Sequence, residues 1–128
     1  MQIENKEIPY QVLEHVMKAT DEEFAEFSVG ILAYSFNIDR FRLSRQFKRQ
    51  TNMTLEHFLF KEKMARAAYL LKTYQNLTIK EVAERLGFRA DDYFIRKFKE
   101  YYGVAPGKYR EFKLVFPGIG SRENRVKE

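Results

Sequence analysis

Arg45, Lys48, Arg96 and Lys99 are the residues of this chain best placed to do chemistry, and their chemistry is recognition rather than catalysis. In each pair the arginine precedes the lysine by three residues, with a phenylalanine, Phe47 or Phe98, just before the lysine. The two sets are related by one offset of 51 residues. A guanidinium can bridge O6 and N7 of guanine, whereas an ammonium is suited to neutralising a phosphate. Two copies of one basic pattern predict two similar surfaces facing one long, repetitive partner.

The pattern extends beyond the charges. Leu43-Ser44-Arg45-Gln46-Phe47-Lys48 recurs as Phe94-Ile95-Arg96-Lys97-Phe98-Lys99. Upstream, Val29, Leu32 and Ala33 answer to Ile79, Val82 and Ala83 at an offset of 50, so the second copy has gained one residue in its turn. Each copy reads as a short apolar helix, a tight turn and a basic helix. Leu43 and Phe47 are four residues apart and must share the core face. The outward stripe is then Arg40, Phe41, Ser44, Arg45 and Lys48. By the same rule Phe94 and Phe98 face inward and leave Asp91, Asp92, Ile95, Arg96 and Lys99 outside. From Asp39 to Gln50 five cations stand against one acid. A helix with an apolar seam and a basic outer face, after a short helix and a tight turn, fits the major groove of double-stranded DNA, about 12 Å wide. Arg45 and Arg96, one turn into their helices, are placed to reach base edges; Lys48 and Lys99, further along, are placed for phosphate.

The elements that must hold these stripes are legible from periodicity and caps. A first helix runs over Tyr10 to Ala19, followed by an acidic break at Thr20-Asp21-Glu22-Glu23. Ser28 caps a helix to about Phe36, Asn37-Ile38 makes the turn, and Asp39 caps the first basic helix to about Gln50. Thr54 opens the longest helix, to about Tyr74, with Phe58, Met64, Ala67, Leu70 and Leu71 available to both halves. Thr78-Ile79-Lys80-Glu81 is a capping box, and Gly87 supplies a C-terminal cap. The second basic helix ends near Tyr102, and Pro106 opens a closing helix toward Phe112. The expected fold is all-α: two helix-turn-helix subdomains joined by a long linker helix, about seven helices in all. The expected divisions are an acidic N-terminal helix and connector (1–27), the first helix-turn-helix (28–54), the linker helix (55–77), the second helix-turn-helix with its closing helix (78–112) and a flexible tail (113–128).

Composition agrees. The chain has 128 residues, 45% of them hydrophobic, with a net charge of +5. That average hides an asymmetry: residues 1–27 hold seven carboxylates against Lys6 and Lys18, leaving twenty-one cations against eleven acids in the rest. A field of that sign attracts polyanions. With no cysteine there is no disulfide framework and no thiolate metal site. No apolar run is long enough to span a membrane, and the N-terminus lacks the apolar stretch of a secretory signal. His15 and His57 are isolated, and no nucleophile, metal or phosphate-cradling motif appears. These observations predict a cytoplasmic, nucleoid-associated protein that is not an enzyme and needs no cofactor.

At the level of whole motifs the chain resembles the DNA-binding domain of the AraC/XylS-type bacterial transcription regulators. The resemblance rests on Ile79-Lys80-Glu81-Val82-Ala83-Glu84-Arg85-Leu86-Gly87-Phe88, Tyr93-Phe94-Ile95-Arg96-Lys97-Phe98-Lys99, Gly103-Val104-Ala105-Pro106 and Tyr109-Arg110. The linker segment Met64-Ala65-Arg66-Ala67-Ala68-Tyr69-Leu70-Leu71 matches too. It implies an activator that inserts two recognition helices into successive major grooves, as a monomeric DNA-binding unit or part of a larger protein. Arg40, Phe41, Ser44, Arg45, Asp91, Asp92, Ile95 and Arg96 would then read bases, and Lys48, Arg49, Lys97 and Lys99 would contact phosphate. RNA polymerase is a candidate second partner. Asp91 and Asp92 depart from the family pattern and admit two readings: accepting from cytosine N4, or complementing the positive end of their helix. Ile95, where a small polar residue is usual, could touch only a thymine methyl. The competing reading is a protein-interaction adaptor with a degenerate helix-turn-helix. A stacking role for Tyr101, Tyr102 and Tyr109 on single-stranded nucleic acid is disfavoured by their helical, core-like spacing.

Overall fold

Five of the described helices begin where a hydroxyl or carboxylate can take the place of a missing carbonyl. In the computed structural model, Thr20, Ser28, Asp39, Thr54 and Thr78 each accept a hydrogen bond from the backbone N–H three residues on. This satisfies an amide that the first helical turn leaves unpaired. The structure describes residues 2–112, with side chains from residue 7 onward; the tail expected at 113–128 lies outside the described residues.

Among the described residues the fold is all-α, with α1 at Gln2–Lys18, α2 at Asp21–Phe24, α3 at Val29–Ser35 and α4 at Arg40–Thr51. Then come α5 at Leu55–Thr73, α6 at Ile79–Arg85, α7 at Asp91–Tyr102 and α8 at Pro106–Glu111. Eight helices replace the seven expected. The additional one is α2, where the sequence reading placed an acidic break. Thr20 and Glu23 form a capping box of the same kind as Thr78 and Glu81: Glu23 N–H donates to Thr20 Oγ1 at 3.1 Å and Thr20 N–H donates to Glu23 Oε1 at 2.9 Å. The first helix also starts earlier than Tyr10 and continues through Pro9, because Pro9, Val12 and Val16 form one buried face.

The sequence repeat is a structural repeat down to its backbone. Asn37 and Gly87 have positive φ in the two turns, as do Asn52 and Gly103 at the ends of the two basic helices. Ile38 N–H donates to the Ala33 carbonyl at 3.0 Å, and Phe88 N–H donates to that of Ala83 at 2.9 Å. The gained residue sits in the second turn, where two residues rather than one lie between the positive-φ position and the helix cap: Gly87 to Ala90 against Asn37 to Asp39.

Two apolar cores result, with α5 spanning both. Its first turns contribute Leu55, with Phe58 and Leu59 packed at the edge, to a core containing Val12, Val16, Phe24, Leu32, Leu43 and Phe47. Its later turns contribute Met64, Ala67, Leu70 and Leu71 to a core with Val82, Leu86, Phe94 and Phe98. The closing helix locks the far end, as Arg110 donates to the carbonyls of Leu71 at 3.0 Å and Tyr74 at 3.2 Å. Tyr102 donates its hydroxyl to the Met64 carbonyl at 3.2 Å. Burial, then the neighbouring Tyr109 and Tyr101, push its phenol well up from the ordinary tyrosine value, so it remains a donor.

Arg66, in the linker segment, has a role that its spacing does not predict. Its side chain is only 13% exposed. It pairs with Glu62 at 2.9 Å and Asp21 at 3.0 Å, donates to the Val16 carbonyl at 3.1 Å and lies 4.6 Å above the Phe24 ring. One guanidinium therefore ties α1 and α2 to the linker. The two halves also touch directly at the Gly87 turn, where an added Cβ would stand 2.9 Å from the Ala25 carbonyl oxygen. Gly103 has a similar φ and open space around it. Gly103→Ala is expected to lose about 1–2 kcal/mol, the strain of a left-handed backbone bearing a side chain. Gly87→Ala should lose clearly more in the same urea titration; equal losses would mean that the contact with Ala25 does not constrain the structure.

Candidate nucleic-acid interface

Each basic helix is oriented by two phenylalanine or leucine anchors that solvent does not reach. Leu43 and Phe47 in α4, and Phe94 and Phe98 in α7, are all fully buried. The opposite faces are thereby turned to solvent. In α4, Arg40, Phe41, Arg45, Lys48 and Arg49 are exposed and Ser44 is half-buried. Phe41 is 64% exposed, a high value for an aromatic residue, and the Arg40 guanidinium lies 5.3 Å from its ring centre. In α7, Asp91, Asp92, Ile95, Arg96 and Lys99 are exposed.

Lys97 stands apart. It is half-buried, 3.4 Å from the Glu100 carboxylate and about 6 Å from the rings of Phe60 and Tyr93. Its charge is engaged within the protein. Arg96 is 60% exposed; it lies 3.8 Å from Glu100 and 5.1 Å from the Tyr93 ring. At such exposure the ion pair is weak and the guanidinium can leave it for another acceptor. Tyr93, absent from the sequence-level set of site residues, forms the platform beneath Arg96. The signal was available, since a tyrosine three residues before an arginine shares its helix face.

The two acids of α7 stand in its first turn. Ala90, the residue at the helix cap, makes no side-chain cap bond, and Asp91 and Asp92 occupy the first turn directly after it. Carboxylates there complement the positive end of the helix. The corresponding end of α4 is capped by the Asp39 carboxylate, which accepts from Arg42 N–H at 3.0 Å. Tyr102 and Tyr109 pack ring against ring with Phe98, as their spacing predicts, whereas Tyr101, edge-on to Phe60, is 40% exposed and does not enter the core. His57 is exposed, and His15 packs beside Phe27 and Phe36.

Twin helix-turn-helix units on one connector match a known architecture. The family model for a helix-turn-helix domain matches residues 32–111, which includes both basic helices and the linker. The chain belongs to the AraC/XylS-type family of transcription regulators. It is similar to the HTH-type transcriptional regulator YpdC of Escherichia coli, with 38% identity over 61% of this chain and 27% of that protein. It is also similar to the HTH-type transcriptional activator RhaR of Klebsiella pneumoniae, with 36% identity over 54% of this chain and 24% of that protein. The chain thus spans about a quarter of these relatives' length. Among solved structures, the DNA-binding domain of AdpA in complex with a target DNA superposes with a TM-score of 0.69. The match has 26% identity and covers 80% of this chain and 88% of that one. The family is one of DNA-binding transcription regulators. Among the described residues no group of acids or histidines could hold a metal ion, and no helix is long and apolar enough to cross a membrane.

Proposed function

We propose that this chain reads double-stranded DNA by sequence, placing α4 and α7 in successive major grooves, and that it serves in transcription activation. The observation that carries the reading is the pair of repeat-related helices whose anchors, Leu43 with Phe47 and Phe94 with Phe98, are buried while Arg45 and Arg96 face solvent. Base reading falls to Arg40, Phe41, Ser44, Arg45, Asp91, Asp92, Ile95 and Arg96, and phosphate binding to Lys48, Arg49 and Lys99. Lys97 contributes charge from a position already shared with Glu100. The name of the RhaR relative supports the activating role, for which RNA polymerase is the natural second partner. The 19 residues of α5 span about 28 Å at 1.5 Å per residue, less than the roughly 34 Å turn of the duplex. If the connector holds α4 and α7 closer together than one turn of the duplex, the DNA must bend, at a sequence-dependent energy cost.

Selection of bound sites from random duplex DNA supplies the operator for the test. On that site Arg45→Ala is expected to lose about 1–3 kcal/mol of binding while affinity for random duplex changes little. Lys99→Ala should weaken both alike and lower the salt slope by about one. Equal losses from the two variants would contradict the assigned roles. Binding that shows no salt dependence at all would favour an adaptor with a degenerate helix-turn-helix.

A further inference from the structure

A cleft of about 530 Å³ opens between the two helix-turn-helix units, lined by Phe24 and Phe88 from the edges of the two cores and by Tyr93 from beside the second reading face. One wall is the α2–α3 segment with Phe24 and Phe27, the other is the second turn with Phe88 and the start of α7 with Tyr93, and α5 forms the floor with Phe60 and Lys63. A volume of this size suits a small organic ligand, for which typical pockets run from about 300 to 1,000 Å³ and occur preferentially where two units meet. The walls are already set against each other by the Gly87 turn on Ala25, so a ligand would have little reorganisation to offset.

The charges in the cleft select the ligand class. Lys63 is half-buried with its ammonium 4.6 Å from the Phe88 ring centre, and among the described residues it forms no ion pair with a carboxylate. Burial lowers its pKa from the ordinary lysine value, the mark of an ammonium short of compensating charge. Arg89 adds a second cation and Glu56 one acid, so the three lining charges sum to a single positive charge. A compact ammonium on an aromatic floor matches a monoanion with an apolar body.

We propose that this cleft binds a small amphipathic monocarboxylate, its carboxylate paired with Lys63 and its apolar or aromatic body held among Phe24, Phe27, Phe60, Phe88 and Tyr93. Because the two walls belong to the two reading units, the occupant bears on the spacing of α4 and α7, and any effect on DNA affinity is reciprocal.

The test is a titration of the full chain with 2-naphthoate and with its neutral counterpart 2-naphthylmethanol. It is followed by ligand fluorescence and by backbone amide shifts, and contains no DNA, so its failure would leave the DNA-reading proposal standing. The expected result is saturable binding of naphthoate, about tenfold tighter than the alcohol, with shifts centred on Phe24, Phe27, Lys63 and Phe88. Lys63→Met should remove the preference for the anion and Lys63→Arg should keep it, with melting curves confirming that both variants fold. No saturable binding, shifts centred instead on α4 or on the exposed Arg96 and Lys99 of α7, or a preference that survives Lys63→Met would overturn the proposal. Displacement of naphthoate by inorganic phosphate at equal concentration would also overturn it, in favour of a subsite for a nucleic-acid phosphate.

Discussion

Replacing Phe98 with alanine is expected to cost about 3–5 kcal/mol, the range for removing a large aromatic ring from a packed core. Phe98 is fully buried, and its ring contacts those of Phe94, Tyr102 and Tyr109 at centroid distances of 5.7, 4.6 and 5.2 Å. No neighbour can close that void without leaving its own packing. Because the structure holds two cores, the damage should be local. Amide hydrogen exchange in α6, α7 and α8 should accelerate far more than in α3 and α4, which belong to the core around Phe47. The reciprocal variant, Phe47→Ala, should loosen the first unit and spare the second. If either substitution deprotected both halves equally, the linker would be coupling them into one cooperative body and the two-core description would fail.

The second large effect is expected at Arg66. Arg66→Ala would leave Asp21 and Glu62 without their partner, the Val16 carbonyl without a donor and the Phe24 ring without its cation. Breaking a fully buried ion pair costs about 3–5 kcal/mol. The Asp21 and Glu62 side chains keep 26% and 15% of their exposure, so water returns part of that and about 2–3 kcal/mol is expected. Arg66→Lys should recover only a minority, since one ammonium cannot reproduce the planar fork that reaches three acceptors. Urea denaturation measures both variants. A loss below about 0.5 kcal/mol for the alanine variant, the scale of an exposed pair, would show that α1 and α2 do not depend on this residue.

The contrast between Arg66 and Arg45 shows where sequence reasoning reaches. Arg45 could be assigned an outward position because Leu43 and Phe47 lie on its own helix, and helical geometry converts their spacing directly into a direction. Arg66 lies in an otherwise apolar run, Met64 to Leu71, and the oddity of a cation there was the available signal. Its partners Val16 and Asp21 are 50 and 45 residues away, beyond anything periodicity can register. The short helix α2 is an intermediate case. Its capping box was as legible as the one at Thr78, but no apolar repeat followed it, and its existence depends on Phe24 finding a core to enter. Lys97 looked as free as Lys99 in sequence; its neighbours Phe60 and Tyr93 come from the linker and from its own helix.

Sequence alone determined the caps at Ser28, Asp39, Thr54 and Thr78, the paired left-handed positions at Asn37 and Gly87, and the outward direction of both basic stripes. Each of these is decided by groups within about four residues of one another, so the local chain carries the whole cause. Tertiary structure alone decided that α1 and α2 enter the first core, that Arg66 binds them to the linker, and that a cleft with an uncompensated lysine lies between the units. Those features join residues tens of positions apart, and their energies appear only once packing has chosen which faces meet.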